Sequence, residues 1–407
     1  MKEKLTGEAY ARAALTYLAE PTDRWLGQLV RVHGAAATLD AISSGHSLGA
    51  AGPAGNPAGP GPALSLPRGK GREAVNAAME RWRTRLPELP APEEIVALGE
   101  SGIRLVCPGD PEWPGQLADL GDDEPYALWL RGNADLRFSC LRSVAIVGSR
   151  AATAYGSYVA AEIAASVAAR GLAVVSGGAF GVDAAAHRGA LGADGVTIAV
   201  LACGVDVPYP AAHAELFDAI AGQGVLVSEW PPGRHVSRLR FLVRNRVIAA
   251  LSTGTLVVEA SQRSGAVNTA RHARDLGRRL MAVPGPVTSD LSVGCHQVIR
   301  EWQGTLVTSA AEVAEHLGPV GEPTAAAPGT VVQLAGRRQA PPAFPRDLLD
   351  LESARVLDAM PRRGGIGTVR VAQRAGLAPA ATATLLGKLA TGGFVERCDD
   401  GWRLRRS

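Results

Sequence analysis

Short apolar runs alternate with helical patterns through the middle of the chain. The runs are rich in valine and isoleucine and predict strands at 143–147, 173–176, 197–201, 225–228, 255–258 and 280–283. Continuously apolar strands of this kind are typical of a parallel sheet that is buried on both faces. Helices are predicted between them at 157–169, 182–191, 212–221, 238–251 and 266–276. This strict alternation indicates an α/β fold with a doubly wound, Rossmann-like parallel sheet.

The N-terminal flank has a helical pattern. Apolar residues at helical spacing predict helices at 11–18, 25–32 and 72–86. The segment 43–67 is rich in glycine, alanine and proline and has no periodicity, which predicts a disordered insertion. A further strand is expected at 127–131, where the chain leads into the α/β region.

The C-terminal flank follows a linker at 319–346 that is rich in proline, alanine and glycine. Two short helical patterns flank a turn at Gly376, a third carries leucines on one side, and the pair Asp400-Gly401 suits a hairpin turn. This order predicts a helix-turn-helix followed by a wing. The predicted domains are a helical domain at 1–105, the α/β domain at 106–318 and a winged helix at 347–407.

Composition and charge narrow the class of protein. The 407 residues are 46% hydrophobic and 20% charged, which is enough for a packed core. The net charge of +3 is too small to indicate nucleic-acid binding by itself. Five scattered cysteines without a CxxC pair give no sign of a zinc site or a disulfide framework and fit a reducing cytosol. Without an apolar signal-peptide core or an apolar run of membrane length, we expect a cytoplasmic protein that contacts no membrane.

Glycine, serine and arginine residues follow the predicted strands, where ligands bind in a doubly wound sheet. Glycines at such turns let backbone N–H groups and a helix N-terminus face an anion. The candidate phosphate-binding residues at this rim are Gly148, Ser149, Arg150, Ser176, Gly177, Gly178, Ala179, Phe180, Gly181 and Ser264. Glycine turns also serve simply to reverse the chain, and neither GxGxxG nor GxxxxGK[ST] occurs.

The segment after the fourth predicted strand is strongly basic. It contains five arginines and no acid between them: Arg234, Arg238, Arg240, Arg244 and Arg246. Their counter-charge is a nucleotide, a nucleic-acid backbone or acids brought in by the fold, and a solvated basic face is the ordinary alternative. Arginine forks bind phosphate and an aromatic ring can stack a base. We therefore expect single-stranded DNA contacts from Arg238, Phe241, Arg244, Asn245 and Arg246.

Residues for catalysis are poorly supplied. The sequence has no metal-ligand cluster, no paired carboxylates and no GxSxG motif, so we expect neither an enzyme nor a cofactor or metal. Two alternatives stay open. STGTLVVEA resembles a turn of phosphoribohydrolase-like enzymes, with Glu259 as the candidate catalytic group. The winged helix could instead serve a regulator of duplex DNA: its last helix carries only Lys388, but the wing carries Arg397, Arg403, Arg405 and Arg406.

The middle of the chain resembles the DprA/Smf family of DNA-processing proteins. The resemblance rests on GSR, SGGAFGVDAAAHRGAL, TIAVLACGVDVPYP, SEWPPG, FLVRNRVIAALS, VVEASQRSGAVNTARHA, GR, AVPGP and GCHQVI, in this order between about 144 and 299. The N-terminal helical region, which would be SAM-like or helix-hairpin-helix-like, and the winged helix also fit that family's layout. Two departures stand out: Leu242 replaces a common proline and His296 a usual asparagine.

This resemblance implies a recombination mediator without catalytic activity. Such a protein binds and protects single-stranded DNA and helps to load the RecA recombinase in natural transformation. Its DNA pocket would comprise Arg150, the 176–181 turn and the arginine cluster with Phe241. It would act as a homodimer through the Rossmann-like domain, with Val298 and Ile299 as candidates for self-association. Weak duplex contact by the winged helix is left open.

Overall fold

The computed structural model describes residues 5–44, 70–318, 350–361, 364–398 and 400–405. The linker predicted at 319–346 and nearly all of the insertion predicted at 43–67 lie outside these residues. The chain divides into two compact units, Met1–Thr324 and Ala325–Ser407. In the described residues, no helix is long and apolar enough to cross a membrane.

One sheet organises the first unit, and it confirms the α/β prediction. The strands are β1 (Ile103–Val106), β2 (Leu128–Gly132), β3 (Ser143–Val147), β4 (Ala173–Ser176), β5 (Thr197–Val200), β6 (Val225–Ser228), β7 (Gly254–Val257), β8 (Arg279–Ala282) and β9 (Thr305–Leu306). Their order in the sheet is β1-β2-β6-β5-β4-β3-β7-β8-β9. From β6 to β9 all neighbours are parallel, whereas β1 and β2 form an antiparallel edge next to β6.

Helices flank this sheet and build an N-terminal layer. They are α1 (Gly7–Leu18), α2 (Arg24–His33), α3 (Ala35–Ser43), α4 (Lys70–Arg83), α5 (Pro92–Ala97), α6 (Leu136–Leu141), α7 (Ala154–Ala168), α8 (Val182–Gly192), α9 (Ala214–Gln223), α10 (Arg238–Leu251), α11 (Gly265–Asp275), α12 (Val293–Glu301) and α13 (Ala310–Leu317). The helices between β3 and β8 lie where the sequence predicts them. The sequence pattern did not predict α3, α5, α6 or α13.

The core lies on both faces of the sheet because successive side chains of a strand point to opposite sides. In β3, Ala145 and Val147 join one buried cluster while Val144 and Ile146 join the other. This explains why the central strands are apolar throughout rather than alternating. The N-terminal helices pack around a separate cluster that includes Leu15, Leu26, Ile42 and Trp82.

The second unit is small. It contains α14 (Leu351–Asp358), α15 (Thr368–Ala375), α16 (Pro379–Thr391) and the antiparallel pair β10 (Val395–Cys398) and β11 (Gly401–Leu404). Its core is formed by Val356, Val371, Leu386, Leu389 and their neighbours. Gly376 ends α15 with φ of 64°, a left-handed conformation that glycine adopts readily. The predicted order of helices and hairpin is therefore present.

The strand order reverses around β3. The chain places β4, β5 and β6 on one side of β3, then crosses to β7 and β8 on the other. Loops leaving such a switch point diverge and open a crevice at the carboxyl ends of the strands. The fold therefore sets the loops after β3 and β7 around one crevice.

The close packing of α7 on α8 can be tested at Gly189. A Cβ atom at this position would lie 2.2 Å from the carbonyl oxygen of Ala161, so Gly189→Ala must push the two helices apart. We expect a loss of about 1–3 kcal/mol in the free energy of unfolding, measured with denaturant. Gly192→Ala in the same helix is the control: it meets no atom within 4 Å and should leave stability unchanged or slightly raised. Equal stability of the two variants would contradict this packing.

Candidate nucleic-acid interface

A cleft of about 570 Å³ lies at the switch point of the sheet. Its walls come from the loop after β3, the loop after β7 and the first turns of α10. Nine of the predicted residues line it: Gly148, Ser149, Arg150, Ala179, Arg238, Phe241, Arg244, Asn245 and Ser264. The fold thus brings together residues that are more than one hundred positions apart in the sequence.

Ser261, Arg263 and Asp183 also line the cleft, although they were not among the predicted binding residues. Arg263 is exposed and follows β7 in the same SQRSG stretch that supplies Ser264. Its position after a strand at the switch point was the signal that could have identified it.

The glycine turn after β4 contributes less than predicted. Of its six residues only Ala179 lines the cleft. The N–H groups of Gly177 and Ala179 donate to Asp183 Oδ2 at 3.1 and 3.4 Å, and the Ser176 hydroxyl donates to the Ile146 carbonyl at 2.7 Å. The prediction that this turn offers its N–H groups to an anion is therefore corrected, because Asp183 already occupies two of them.

The other turn residues pack inside the protein. A Cβ at Gly178 would lie 2.6 Å from the Phe217 ring, and one at Gly181 would lie 2.2 Å from the Ser149 carbonyl oxygen. Phe180 is partly exposed and packs edge-on against His213, with ring centroids 4.6 Å apart. The glycines therefore permit close approach of elements rather than contact with a ligand.

Arg244 forms the floor of the cleft. It is buried, and its Nη1 donates to the carbonyls of Val200 and of Gly177, the latter at 2.7 Å. Within the described part of the chain its Nε has no hydrogen-bond partner. Burial lowers the pKa of Arg244 to about 10, and the nearby Asp183 carboxylate opposes this shift. The group still carries its positive charge at neutral pH, so the floor of the cleft attracts anions.

Arg246 does not reach the cleft, which corrects its predicted role. It is 3% exposed, and its Nη1 and Nη2 each donate to one oxygen of Glu229 at 2.6 Å, with Glu229 only 4% exposed. Its Nε and Nη2 also donate to the Asp123 carbonyl at 3.1 and 2.8 Å. A guanidinium whose donors are used this fully cannot also bind a phosphate.

Two further arginines of the basic segment also meet acids supplied by the N-terminal layer. Arg240 forms a two-pronged pair with Glu20, which also accepts a hydrogen bond from Trp230 Nε1 at 2.9 Å. Arg234 lies 3.6 Å from Glu88. For these two residues and for Arg246, the counter-charge is therefore an acid brought in by the fold, one of the alternatives that the sequence left open. The acids come from distant parts of the sequence.

The cations left for a ligand are Arg150, Arg238 and Arg263. Among the described residues, no acid lies within ion-pair distance of any of the three. All three line the same cleft. Together with Arg244, they outnumber its single lining carboxylate, that of Asp183.

An aromatic wall borders these cations. The Arg150 guanidinium lies 4.5 Å from the centre of the Phe241 ring, and Phe241 lies 5.6 Å from the Tyr209 ring. Tyr209 is partly exposed, although a packing role is what its sequence context predicts. Asn245 is held in place by donating to Asn268 Oδ1 at 3.1 Å. The cleft therefore combines fixed polar groups, free cations and an accessible aromatic surface.

The two departures from the family pattern are accommodated. Ser237 caps α10, accepting the N–H of Arg240 at its hydroxyl, so the helix begins at Arg238 with Leu242 in place of proline. Leu242 is partly exposed and lines the cleft. His296 Nε2 lies 3.0 Å from the Gly285 carbonyl oxygen, which fixes the ring against the loop after β8.

The candidate self-association residues lie on α12, and one of them is corrected. Val298 is fully buried in the core beneath the sheet, so it cannot contact a second chain. Ile299 is half-buried and packs against the same cluster. Val298 lies on the face of α12 that packs against the core. The apolar residues next to it in the sequence did not indicate which face this is.

Comparison with known proteins places these observations in a family. A family model described as DNA recombination-mediator protein A matches residues 104–318. A putative DNA processing protein DprA of Mycobacterium tuberculosis is 40% identical over 409 residues, covering 98% of this chain and 95% of that protein. The DNA processing protein DprA of Streptococcus pneumoniae is 40% identical over 202 residues, covering 49% and 70%. The solved structure of DprA from Streptococcus pneumoniae matches with a TM-score of 0.52 at 35% identity, covering 59% of this chain and 81% of that one.

The structural role assigned to Arg246 predicts a large loss of stability in Arg246→Leu. Removing one partner leaves the Glu229 charge buried and unpaired, which costs about 3–5 kcal/mol in the free energy of unfolding. The double variant Arg246→Leu/Glu229→Leu should recover much of this loss, because it removes both buried charges. Arg238→Leu, at the exposed end of the same helix, serves as the control. Denaturant unfolding that shows Arg246→Leu as stable as Arg238→Leu would contradict the assignment.

Proposed function

This chain belongs to the DprA/Smf family of DNA-processing proteins, and we propose on that premise that its cleft binds single-stranded DNA. The observation that carries the proposal is the set of three arginines without acidic partners, Arg150, Arg238 and Arg263, around one cleft. Free guanidinium groups bind phosphate oxygens through paired N–H donors. Buried Arg244 adds a fixed positive charge beneath them.

The aromatic wall supports a single strand rather than a duplex as the ligand. A base can stack on Phe241 or Tyr209 only when its face is not covered by the neighbouring bases of a double helix. Arg150 covers the Phe241 ring in the free protein. On binding, this guanidinium can move to a phosphate and leave the ring to a base.

A binding role is also favoured over the nucleotide-processing alternative. The carboxylate of Glu259, the candidate catalytic group, accepts hydrogen bonds from the Thr153 N–H at 2.9 Å and the Thr153 hydroxyl at 2.7 Å. Glu259 does not line the arginine-rich cleft. The group that would have to act on a bound nucleotide therefore supports the start of α7 instead.

The wider role proposed is that of a recombination mediator. Bound in the cleft, single-stranded DNA would be protected and passed to the RecA recombinase, as in natural transformation, by a homodimer that associates through the α/β domain. Family membership supports this role. Of the two candidate residues on α12, Ile299 is the one that keeps an accessible part that could contribute to such an interface.

Substitution of the free arginines tests the DNA site. Arg150→Ala, Arg238→Ala and Arg263→Ala should each weaken binding of a thymidine oligonucleotide about tenfold at low salt, since a hydrogen bond to a charged group contributes roughly 1.5 kcal/mol or more. Each lost phosphate contact should also reduce the slope of log affinity against log salt by about 0.7.

The control for this test is Arg170→Ala. Arg170 is exposed and follows the end of α7, at the amino ends of the parallel strands, whereas the cleft lies at their carboxyl ends. Its removal lowers the net charge equally but should leave both affinity and salt slope unchanged. If Arg170→Ala weakens binding as much as the cleft variants, the DNA is held by overall charge and the proposed site is wrong.

We propose three domains, at 1–105, 106–318 and 347–407, with the last a winged helix. The compact C-terminal unit supports the second boundary, and a cluster formed mainly by the N-terminal helices supports the first boundary within the single unit Met1–Thr324. On the exposed face of α16, a helix that would enter the groove of duplex DNA, Lys388 is the one basic residue. The wing offers Arg397, Arg403 and Arg405, of which Arg403 pairs with Glu396. Weak contact with duplex DNA is therefore assigned to the wing.

Removal of the C-terminal unit separates the two DNA-binding roles. A chain ending at Arg346 should bind single-stranded oligonucleotides as the full chain does, because the cleft is complete without the C-terminal unit. Its affinity for duplex DNA should fall to that of a control protein that does not bind DNA. The two affinities are measured by fluorescence anisotropy. A truncated chain that loses single-strand binding would instead favour the alternative in which the C-terminal unit is the DNA-binding part.

A further inference from the structure

The first turn of α10 carries residues that line the cleft, yet its sequence opposes a stable helix end. Arg238 and Phe241 line the cleft, and Arg240 lies between them in the sequence. A helix N-terminus is the positive end of the helix dipole, so acids are favourable there and cations are unfavourable. The first turn of α10 contains two arginines and no acid. Without help from another element, this turn should therefore fray.

The fold leaves the same turn largely uncovered. Ser237, Arg238 and Leu239 are exposed, whereas every residue from Arg244 to the end of the helix is buried. Helix ends that are exposed to solvent and have few buried contacts open easily. The buried part of α10 therefore begins only after Arg238 and Phe241, the residues that are proposed to meet DNA.

Glu20 supplies the acid that the start of α10 lacks. It lies in the turn between α1 and α2. Its Oε1 accepts a hydrogen bond from Arg240 Nη2 at 2.5 Å, and its Oε2 accepts one from Arg240 Nε at 3.0 Å and one from Trp230 Nε1 at 2.9 Å. Burial raises the pKa of Glu20, but these hydrogen bonds outweigh burial and hold the pKa below its usual range. The carboxylate is therefore charged at neutral pH.

The contact also reaches the segment that leads into α10. Trp230 is 2% exposed and lies two residues after the end of β6, and the Arg240 guanidinium lies 5.7 Å from the centre of its ring. Arg240 Nη1 donates to the carbonyl of His235, just before the helix, at 2.5 Å. Glu20 thus ties the first turn of α10 to a buried side chain next to the sheet.

We propose that Glu20 is a positioning residue for the DNA cleft. Glu20 does not line the cleft and acts through Arg240. By holding the first turn of α10, it keeps Arg238 and Phe241 at the cleft. The N-terminal layer thereby raises the affinity for single-stranded DNA without touching the strand. The inference rests on the proposed binding of single-stranded DNA and adds a control of affinity from outside the cleft.

Glu20→Ala in the full chain tests this role. Affinity for a thymidine oligonucleotide, measured by fluorescence anisotropy, should fall about fivefold, as expected for the loss of a partly exposed ion pair at a helix end. The slope of log affinity against log salt should stay unchanged, because the bound strand keeps all of its phosphate contacts. A residue that contacts a phosphate directly differs, since its removal lowers the slope.

The sign of the effect separates positioning from simple charge. Loss of Glu20 makes the protein more positive and frees Arg240 for a phosphate. If these effects dominated, Glu20→Ala would bind more tightly with a steeper salt slope, and the positioning role would be wrong. Asp218→Ala is the matched control, because it removes one acid from an exposed ion pair with Arg131 outside the cleft. It should not weaken binding.

Hydrogen exchange measured by mass spectrometry gives a second readout that needs no DNA. In Glu20→Ala, peptides that cover 238–243 should exchange faster, while those of β3 to β5 keep their native protection. Arg240→Ala removes the other partner and tests the same contact if Glu20→Ala fails to fold. The double variant should bind no more weakly than the weaker of the two single variants, since both act through one ion pair. Additive losses would contradict the proposal.

The outcomes separate this inference from the function on which it rests. Native affinity and native exchange in Glu20→Ala would overturn the positioning role and leave the cleft intact. Failure of the native chain to bind any single strand would overturn the DNA cleft and, with it, the role of Glu20 in affinity.

Discussion

Burial of positive charge is the constraint around which this molecule is built. Arg244 and Arg246 lie in one turn of α10, both almost inaccessible to water. Removing a guanidinium from water costs free energy unless its N–H groups form hydrogen bonds or an ion pair. The two arginines meet this requirement in different ways. Arg246 forms an ion pair with Glu229, whereas Arg244 donates from one nitrogen to backbone carbonyls, and its buried Nε has no hydrogen-bond partner among the described residues. Two arginines of α10 that stand two residues apart thus differ: Arg246 has a structural role, and Arg244 is the one for which we propose a role in binding.

The sheet topology gives this division its location. Because the strand order reverses at β3, the loops after β3 and β7 diverge and leave a crevice between them. The first turns of α10 line this crevice. On the other side of the same helix, Arg240 forms an ion pair with Glu20 of the N-terminal layer. The first turn of α10 is therefore fixed from behind while Arg238 and Phe241 face the cleft.

The local sequence pattern was enough to predict the α/β fold, but not to predict which arginines form ion pairs. Buried strands and amphipathic helices can be recognised from residues that are close in sequence. The bounds of β3 to β8 could therefore be predicted to within one residue. Whether an arginine is free depends on residues far away: Glu229 lies 17 positions from Arg246, and Glu20 lies 220 from Arg240. The same limit hid Val298, whose burial depends on how α12 packs on the sheet.

The central claim is that unpaired bases stack in the cleft beside Phe241. Photocrosslinking tests it most directly, using a single-stranded oligonucleotide that carries 5-iodo-deoxyuridine and mass spectrometry of the adducts on the full chain. Adducts are expected on Phe241 or Tyr209, since these rings border the free arginines. Adducts confined to residues outside the cleft, such as Trp402 of the C-terminal hairpin, would contradict it.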